Sequence, residues 1–509
     1  MGTEAQIASG HEWESPAIAA SRYRVILWLV TAALAGAVIM GLELVGFRLY
    51  APYFGYSIYV WGSLISVVMA ALAVGYVWGG WLADRRGSDR ALYITILSSG
   101  IYQLVIVYVA IRLLEWLYNA GQFRGPVVAT LVIFAPPMLA LAGTSPFVIR
   151  LLARAGHVGS SAGSVYALST VGSIAGVLVT AFLMVPNLGT HRTLQILCGV
   201  SIVLGVAGLP GRRRSILAGA LALLVVAIAP GQRLRYYEIW REQSVYNEVR
   251  VFDYHGYLML ALNDMRHSHT TIKLSSRWSG SYQDEFALGP LLVRARRLLS
   301  LGMGAGGSLR MTRLSDPTIQ VDAVEIDPDV VEAAHRFFGL PYHASWLHIH
   351  IADARPWLHR STERFGLVHV DLYQGGPYIP FYLVTQQFFS MVRAHMLPRG
   401  LLMMNVYDAG RDREILNSSG ATLERVFPTV LVTSRVPKSY MLFAFCQKRP
   451  ADSVKAKLMS YQGDSGIAKL AHDAAASMAP LDPPPGTVIF TDDRAPIDPM
   501  TRRMMAEDR

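Results

Sequence analysis

Charge is scarce in this chain, and cysteine is scarcer. Only 16% of its 509 residues are Asp, Glu, Lys or Arg, against 52% hydrophobic ones, and the mean hydropathy is +0.32. Soluble proteins of this length are less apolar, which argues against a wholly soluble molecule. The two cysteines, Cys198 in an apolar segment and Cys446 in the second half, rule out a disulfide framework. The first twenty residues carry Glu4, Glu12 and Glu14. They have no basic region ahead of an apolar run, so they do not read as a cleaved signal peptide.

The apolar excess lies almost entirely before residue 232. The net charge of +10 comes with arginines that border apolar segments. A lipid bilayer, rather than nucleic acid, is therefore the expected partner. A bilayer span takes about 20 apolar residues. Candidates lie near 23–47, 57–83, 91–113, 125–149, 160–186, 190–210 and 215–231, the last one short. The expected order is an N-terminal tail (1–22) and a transmembrane α-helical bundle of six to seven helices (23–231).

Gly36, Gly41 and Gly46 in the first span, and Gly75, Gly79 and Gly80 in the second, read as residues that let helices approach closely. Glu43, in "IMGLELVGFRLYAP", is expensive at membrane depth. It is expected to pair with Arg48 or to face a polar cavity. "GGWLADRRGSDR" resembles the short cytoplasmic loop of major-facilitator transporters, through Asp84, Arg85 and Gly87.

If the spans alternate, Arg22, Arg24, Arg85, Arg86, Arg90, Arg150, Arg154 and Arg212–Arg214 share one side. That side reads as cytoplasmic. A cytoplasmic second half then needs an even number of crossings, with 215–231 lying along the membrane or entering and returning. The expected address is the cell (inner) membrane, multi-pass, with the catalytic domain on the cytoplasmic side.

From residue 236 the texture changes. "SVYNEVRVFDYHGYLMLALND" alternates as a small antiparallel sheet does, and "SGSYQDEFALGPLLVRA" reads as a helix. Strands at 298–301, 320–325, 347–351, 366–370 and 401–406 then alternate with helices at 328–338, 355–360 and 384–396. That is an α/β Rossmann-like, methyltransferase-type domain with ligands at the carboxyl ends of parallel strands. The expected units are a small β-domain with the start of a gate helix (232–285), a nucleoside-binding catalytic domain (286–447) and a helical or irregular tail (448–509).

The chemistry falls at those strand ends. Gly302, Gly304 and Gly306 form a tight turn after the first strand. Glu325 ends the second, where a carboxylate can accept both ribose hydroxyls. Asp353 follows the third, in reach of an adenine amino group, and Asp371 ends the fourth. The turn lacks a Lys-Ser/Thr and no dinucleotide half follows, so a nucleoside rather than a phosphate cofactor is expected. No metal is expected.

With these motifs the chain resembles the spermidine synthases, or polyamine aminopropyltransferases, and in particular bacterial members with a fused multi-span membrane domain. The likeness covers about 236–447 and extends to "FTDDRAPID". The family's Tyr-Gln on a helix corresponds to Tyr282 and Gln283, its glycine turn to "GMGAGG", its Glu-Ile-Asp to Glu325, Ile326 and Asp327, and its Gly-Asp-Ala to Asp353 and Ala354. The catalytic Asp corresponds to Asp371, the Gly-Pro after it to Gly376 and Pro377, and a Gln of the first β-domain to Asn247. Tyr282 and Asp371 are thereby implied as catalytic.

Two positions depart from the pattern. The turn's Asp is Ala305, and the second Asp of Asp-x-x-Asp-Pro is Gln374. The late Tyr-Pro-x-Gly is absent from "VTSRVPKSYMLF". The resemblance implies aminopropyl transfer from decarboxylated S-adenosylmethionine to a small-molecule amine such as putrescine, as a step of polyamine biosynthesis. The alternatives are an S-adenosylmethionine-dependent methyltransferase and a transporter or sensor with a nucleoside- or polyamine-binding domain. Self-association stays open.

Overall fold

The computed structural model describes residues 22–54, 58–117, 124–153, 158–209, 237–263 and 267–508. The 215–231 segment, Arg154, Arg212–Arg214 and all but the last residue of the tail at 1–22 lie outside them.

The first half is a helical bundle. Its helices are α1 (Arg22–Phe54), α2 (Ile58–Arg86), α3 (Asp89–Leu117), α4 (Arg124–Ile133), α5 (Ala135–Ala142), α6 (Thr144–Ala153), α7 (Val158–Val179) and α8 (Val185–Ala207). Five stretches are long and apolar enough to cross a membrane, and the last, Val158–Ala207, is broken at Gly189, whose φ is 76°. Contacts give the direction of each pass. Glycines 172 and 176 of α7 lie against Ala33 and Ala37 of α1, so these helices run parallel. Gly205 of α8 and Gly208 just past its end lie against Leu97 and Tyr93 of α3, so that pair is antiparallel. At Gly79 an added Cβ would stand 2.3 Å from Gly143 Cα, an approach only a bare backbone permits.

The bundle thus has two distinct ends. One carries Arg22, Arg24, Arg85, Arg86, Arg90 and Arg150. There Asp84 accepts from Arg150 Nε at 2.9 Å, and Arg85 lies over Trp81. The other carries Arg48, Arg112, Arg124 and Arg192. The expected Glu43–Arg48 pair does not form. Five residues of helix turn a side chain through about 140°, off the shared face, and Arg48 donates to the carbonyls of Ser244 and Val245 instead.

The second half opens with an antiparallel sheet, β1 (Glu238–Gln243), β2 (Glu248–Tyr254), β3 (Tyr257–Leu262) and β4 (Ser268–Lys273). The expected gate helix is a 3₁₀ segment, Tyr282–Leu288, followed by one α-turn. The larger sheet holds β5 (Arg297–Leu301), β6 (Gln320–Glu325), β7 (Leu347–Ile351), β8 (Phe365–Val370), β9 (Met396–Tyr407), β10 (Thr429–Val436), β11 (Ser439–Phe445) and β12 (Ala479–Pro480), in the order β12-β10-β11-β9-β8-β5-β6-β7. β5 to β9 are parallel, while β11 is antiparallel to β9 and inserted before β10. The order reverses between β5 and β8, which opens a crevice at their carboxyl ends. Buried apolar residues cover both faces of this sheet. The tail is docked on it: α15 (Ser465–Ser477) packs on β10, and α16 (Ile497–Glu507) on α13 (Glu414–Glu424).

The soluble half stands on the bundle end that carries Arg48. Thr190 N, at the start of α8, donates to Gln243 Oε1 at 2.6 Å, and Arg502 lies over Tyr59 at the start of α2. This departs from the expected placement beside the arginine-rich end. The described helices make an even number of passes and return Leu209 to that end.

Candidate active site

Four strand ends build the site. Gly302 closes β5 with φ at +75°, and a Cβ there would stand 2.3 Å from Asp371 O, so the end of β5 touches the end of β8 through bare backbone. Gly306, at φ +82°, is the left-handed N-cap of α9 (Gly307–Ser315).

Glu325, at the end of β6, is buried and faces the turn. One oxygen accepts from Met303 N and Gly304 N at 3.2 and 3.3 Å, the other from Asp327 N at 3.2 Å. Burial raises its pKa to about 7 against the pull of those backbone donors. Asp327 caps α10 (Pro328–Phe337) and holds Ser244 Oγ at 2.6 Å and Asn247 Nδ2 at 2.8 Å, which ties the β-domain to the pocket.

Asp353 caps α11 (Ala354–Arg360), and its second oxygen accepts from Tyr382 OH at 2.8 Å. Asp371 lies just past β8. Tyr282 OH donates to its Oδ2 at 2.9 Å and Asn405 Nδ2, from β9, to its Oδ1 at 3.2 Å. Burial raises Asp371 to about 6, and both hydrogen bonds work against that rise. Tyr282 is pushed well above the ordinary tyrosine range by burial and by the Asp371 charge.

These side chains line one cleft. Asn247, Tyr282, Gly302, Gly304, Glu325, Asp353, Ala354 and Asp371 all line it. A second, more open cavity adjoins it and shares His269, Tyr282 and Tyr373. Pro377 and Gln283 belong to that second space. Gln283 is committed to backbone, with Nε2 donating to His269 O at 3.0 Å and Oε1 accepting from Thr271 N at 3.2 Å. Gly306 serves the turn and lines neither.

Ala305 is buried with its N–H on Thr270 Oγ1 at 2.9 Å. It lines a separate cavity beside α9 rather than the main cleft, whereas Gln374 lines the cleft. Sequence reading missed Tyr246, His269, Tyr373 and Tyr382 in the cleft wall and Asn405 behind Asp371. Asn405 carried a signal, as a lone amide inside the apolar run "LLMMNVY".

The pKa of Glu325 sets a test. Ribose hydroxyls donate best to the ionised carboxylate. If Glu325 holds a ribose, as the resemblance implies, affinity for methylthioadenosine should rise with pH between about 6 and 8, by up to about tenfold. Glu325→Gln should flatten the profile in calorimetric titrations. A pH-independent affinity in the unsubstituted protein would remove Glu325 from the ribose.

This strand order, with its antiparallel insertion and three carboxylates at successive strand ends, defines a Rossmann-like domain of the methyltransferase type. No family model matches the chain. A "Probable polyamine aminopropyl transferase" of Bifidobacterium longum is 25% identical over 273 residues, 50% of this chain and 60% of that protein's own length. "Polyamine aminopropyltransferase 2" of Ralstonia nicotianae is 25% identical over 391 residues, 71% of this chain and 75% of that protein. That is more than residues 237–509 can supply, so the likeness enters the helical bundle. The bovine "eEF1A lysine and N-terminal methyltransferase" is 29% identical over 167 residues, 31% of this chain and 23% of that protein. The chain is thus similar to polyamine aminopropyltransferases.

Proposed function

We propose that the chain is a membrane-embedded aminopropyltransferase acting on decarboxylated S-adenosylmethionine and a small amine. One observation carries this reading. Asp371, braced by Tyr282 and Asn405, stands beside the nucleoside cleft where the second cavity meets it. The nucleoside lies in the first space, its ribose on Glu325 and its adenine near Asp353, while the acceptor enters through the second. The lone pair of the neutral amine attacks the aminopropyl carbon next to the sulfonium. The carbon–sulfur bond breaks, its electrons return to sulfur, and neutral methylthioadenosine leaves. The new ammonium passes a proton to Asp371 and from there to water. Asp508, paired with Lys438 and Tyr407, supplies a further carboxylate to the acceptor cavity. Five stretches long and apolar enough to cross a membrane support the membrane-embedded part.

Gln374 favours a second reading, a methyltransferase. It puts no charge in the cleft wall where the carboxylate of intact S-adenosylmethionine would have to lie. The acceptor-sized second cavity and the aminopropyltransferase relatives favour the first.

The nucleoside part of the proposal is tested by binding. Glu325→Ala should weaken methylthioadenosine by about 1–3 kcal/mol, the loss of a buried hydrogen-bonding partner, with the melting transition retained. Unchanged affinity in calorimetry would show that the ribose lies elsewhere.

A further inference from the structure

The soluble half and the arginine-rich loops occupy opposite ends of the helical bundle. Three observations fix this independently of chain connectivity.

First, the bundle contacts all come from one end: Arg48 near the end of α1, Tyr59 at the start of α2 and Thr190 at the start of α8.

Second, a buried and internally paired charge cluster of the small sheet lies at this contact. Glu238, Arg241, Glu248 and Arg250 of β1 and β2 form a neutral cluster of two acids and two bases. Arg241 Nη2 lies 2.6 Å from Glu238 Oε2, Arg250 pairs with Glu248, and no side chain of the four exceeds 12% exposure. Tyr53 lies within electrostatic reach of Arg241, and His191 within reach of Glu248. Charges kept from water must be paired in fixed geometry, and this cluster is paired at the junction.

Third, the end that the soluble half covers carries four described arginines, of which Arg48 is committed to Ser244 and Val245. The far end carries six, and Arg154 and Arg212–Arg214 adjoin that end in sequence.

Arginine-rich short loops stay on the cytoplasmic side of a bilayer. We infer that the nucleoside cleft stands on the extracytoplasmic face of the membrane, docked on the bundle end opposite the arginine-rich loops. The inference rests on the bundle spanning a membrane and is independent of which group is transferred. The chain then crosses an odd number of times. A nucleoside sulfonium made in the cytoplasm would reach the cleft only after a transport step, so the class of reaction that supplies the donor is carriage of an organic cation across the bilayer.

Single-cysteine labelling of the full chain in bacterial spheroplasts tests this. Cys198 and Cys446 are both buried and give little background. Ser275→Cys and Ser453→Cys report from exposed positions of the soluble half, and Ser88→Cys and Ser160→Cys from exposed positions at the arginine-rich end. A membrane-impermeant maleimide should modify the first pair in intact spheroplasts and the second pair only after permeabilisation. Two reporters per side guard against one misfolded variant, and labelling in denaturant checks expression. The reverse pattern, or all four sites on one side, overturns the inference. None of these outcomes depends on catalysis, so the topology and the proposed reaction fail separately.

Discussion

Replacing Asp371 with Asn should lower turnover by roughly 10²–10⁴-fold, the range of a lost general base, while methylthioadenosine affinity stays nearly unchanged. Asn keeps the shape of the side chain and can still meet Tyr282 and Asn405, so the cleft is retained and only proton acceptance is lost. A fall in kcat and kcat/KM together, with donor binding intact, marks an interaction made in the transition state. The unsubstituted enzyme should lose activity as the pH falls through about 6, the value to which burial raises this carboxyl, because the protonated form cannot accept the amine's proton. Near-normal turnover in the Asn variant would take Asp371 out of the mechanism.

Gly302→Ala should be the most damaging single-methyl change in the soluble half. Its φ of +75° is strained for any L side chain, and the new Cβ would lie 2.3 Å from Asp371 O. Backbone strain of roughly 1–3 kcal/mol and overpacking of a similar size act at one point. The end of β8 must move, and Asp371 moves with it. We expect a lower melting temperature together with loss of both methylthioadenosine binding and turnover. A variant with native melting and native turnover would show that the contact between the two strand ends is not needed.

The parallel strands were legible in the sequence because a sheet covered on both faces writes its strands as short apolar runs. "LLSL" before the glycines and "VDAVE" before Ile326 fall on β5 and β6. Glu325 and Asp371 were legible for the same reason, since each ends or directly follows such a run. The cleft's aromatic wall was not. Tyr246 comes from the turn between β1 and β2, Tyr373 and Tyr382 from the long segment after β8, and only the folded domain brings them together. Asn405 reaches Asp371 because β9 pairs with β8 in parallel, a relation no local pattern encodes. Gln283 sits next to Tyr282 in sequence, yet on the 3₁₀ segment the two side chains part, one to Asp371 and one to the β4 backbone. Ala305 departs from the family pattern inside the glycine turn, but its side chain lines a neighbouring cavity. Absence of charge there says less about the donor than Gln374 does.

The most direct test is product analysis. Purified full-length protein is incubated with decarboxylated S-adenosylmethionine, or with S-adenosylmethionine, and a panel of mono- and diamines, and the released nucleoside is measured. Methylthioadenosine that appears only when the decarboxylated donor and an amine are both present is the expected result. S-adenosylhomocysteine as the sole product, formed from intact S-adenosylmethionine, would contradict aminopropyl transfer and make the chain a methyltransferase.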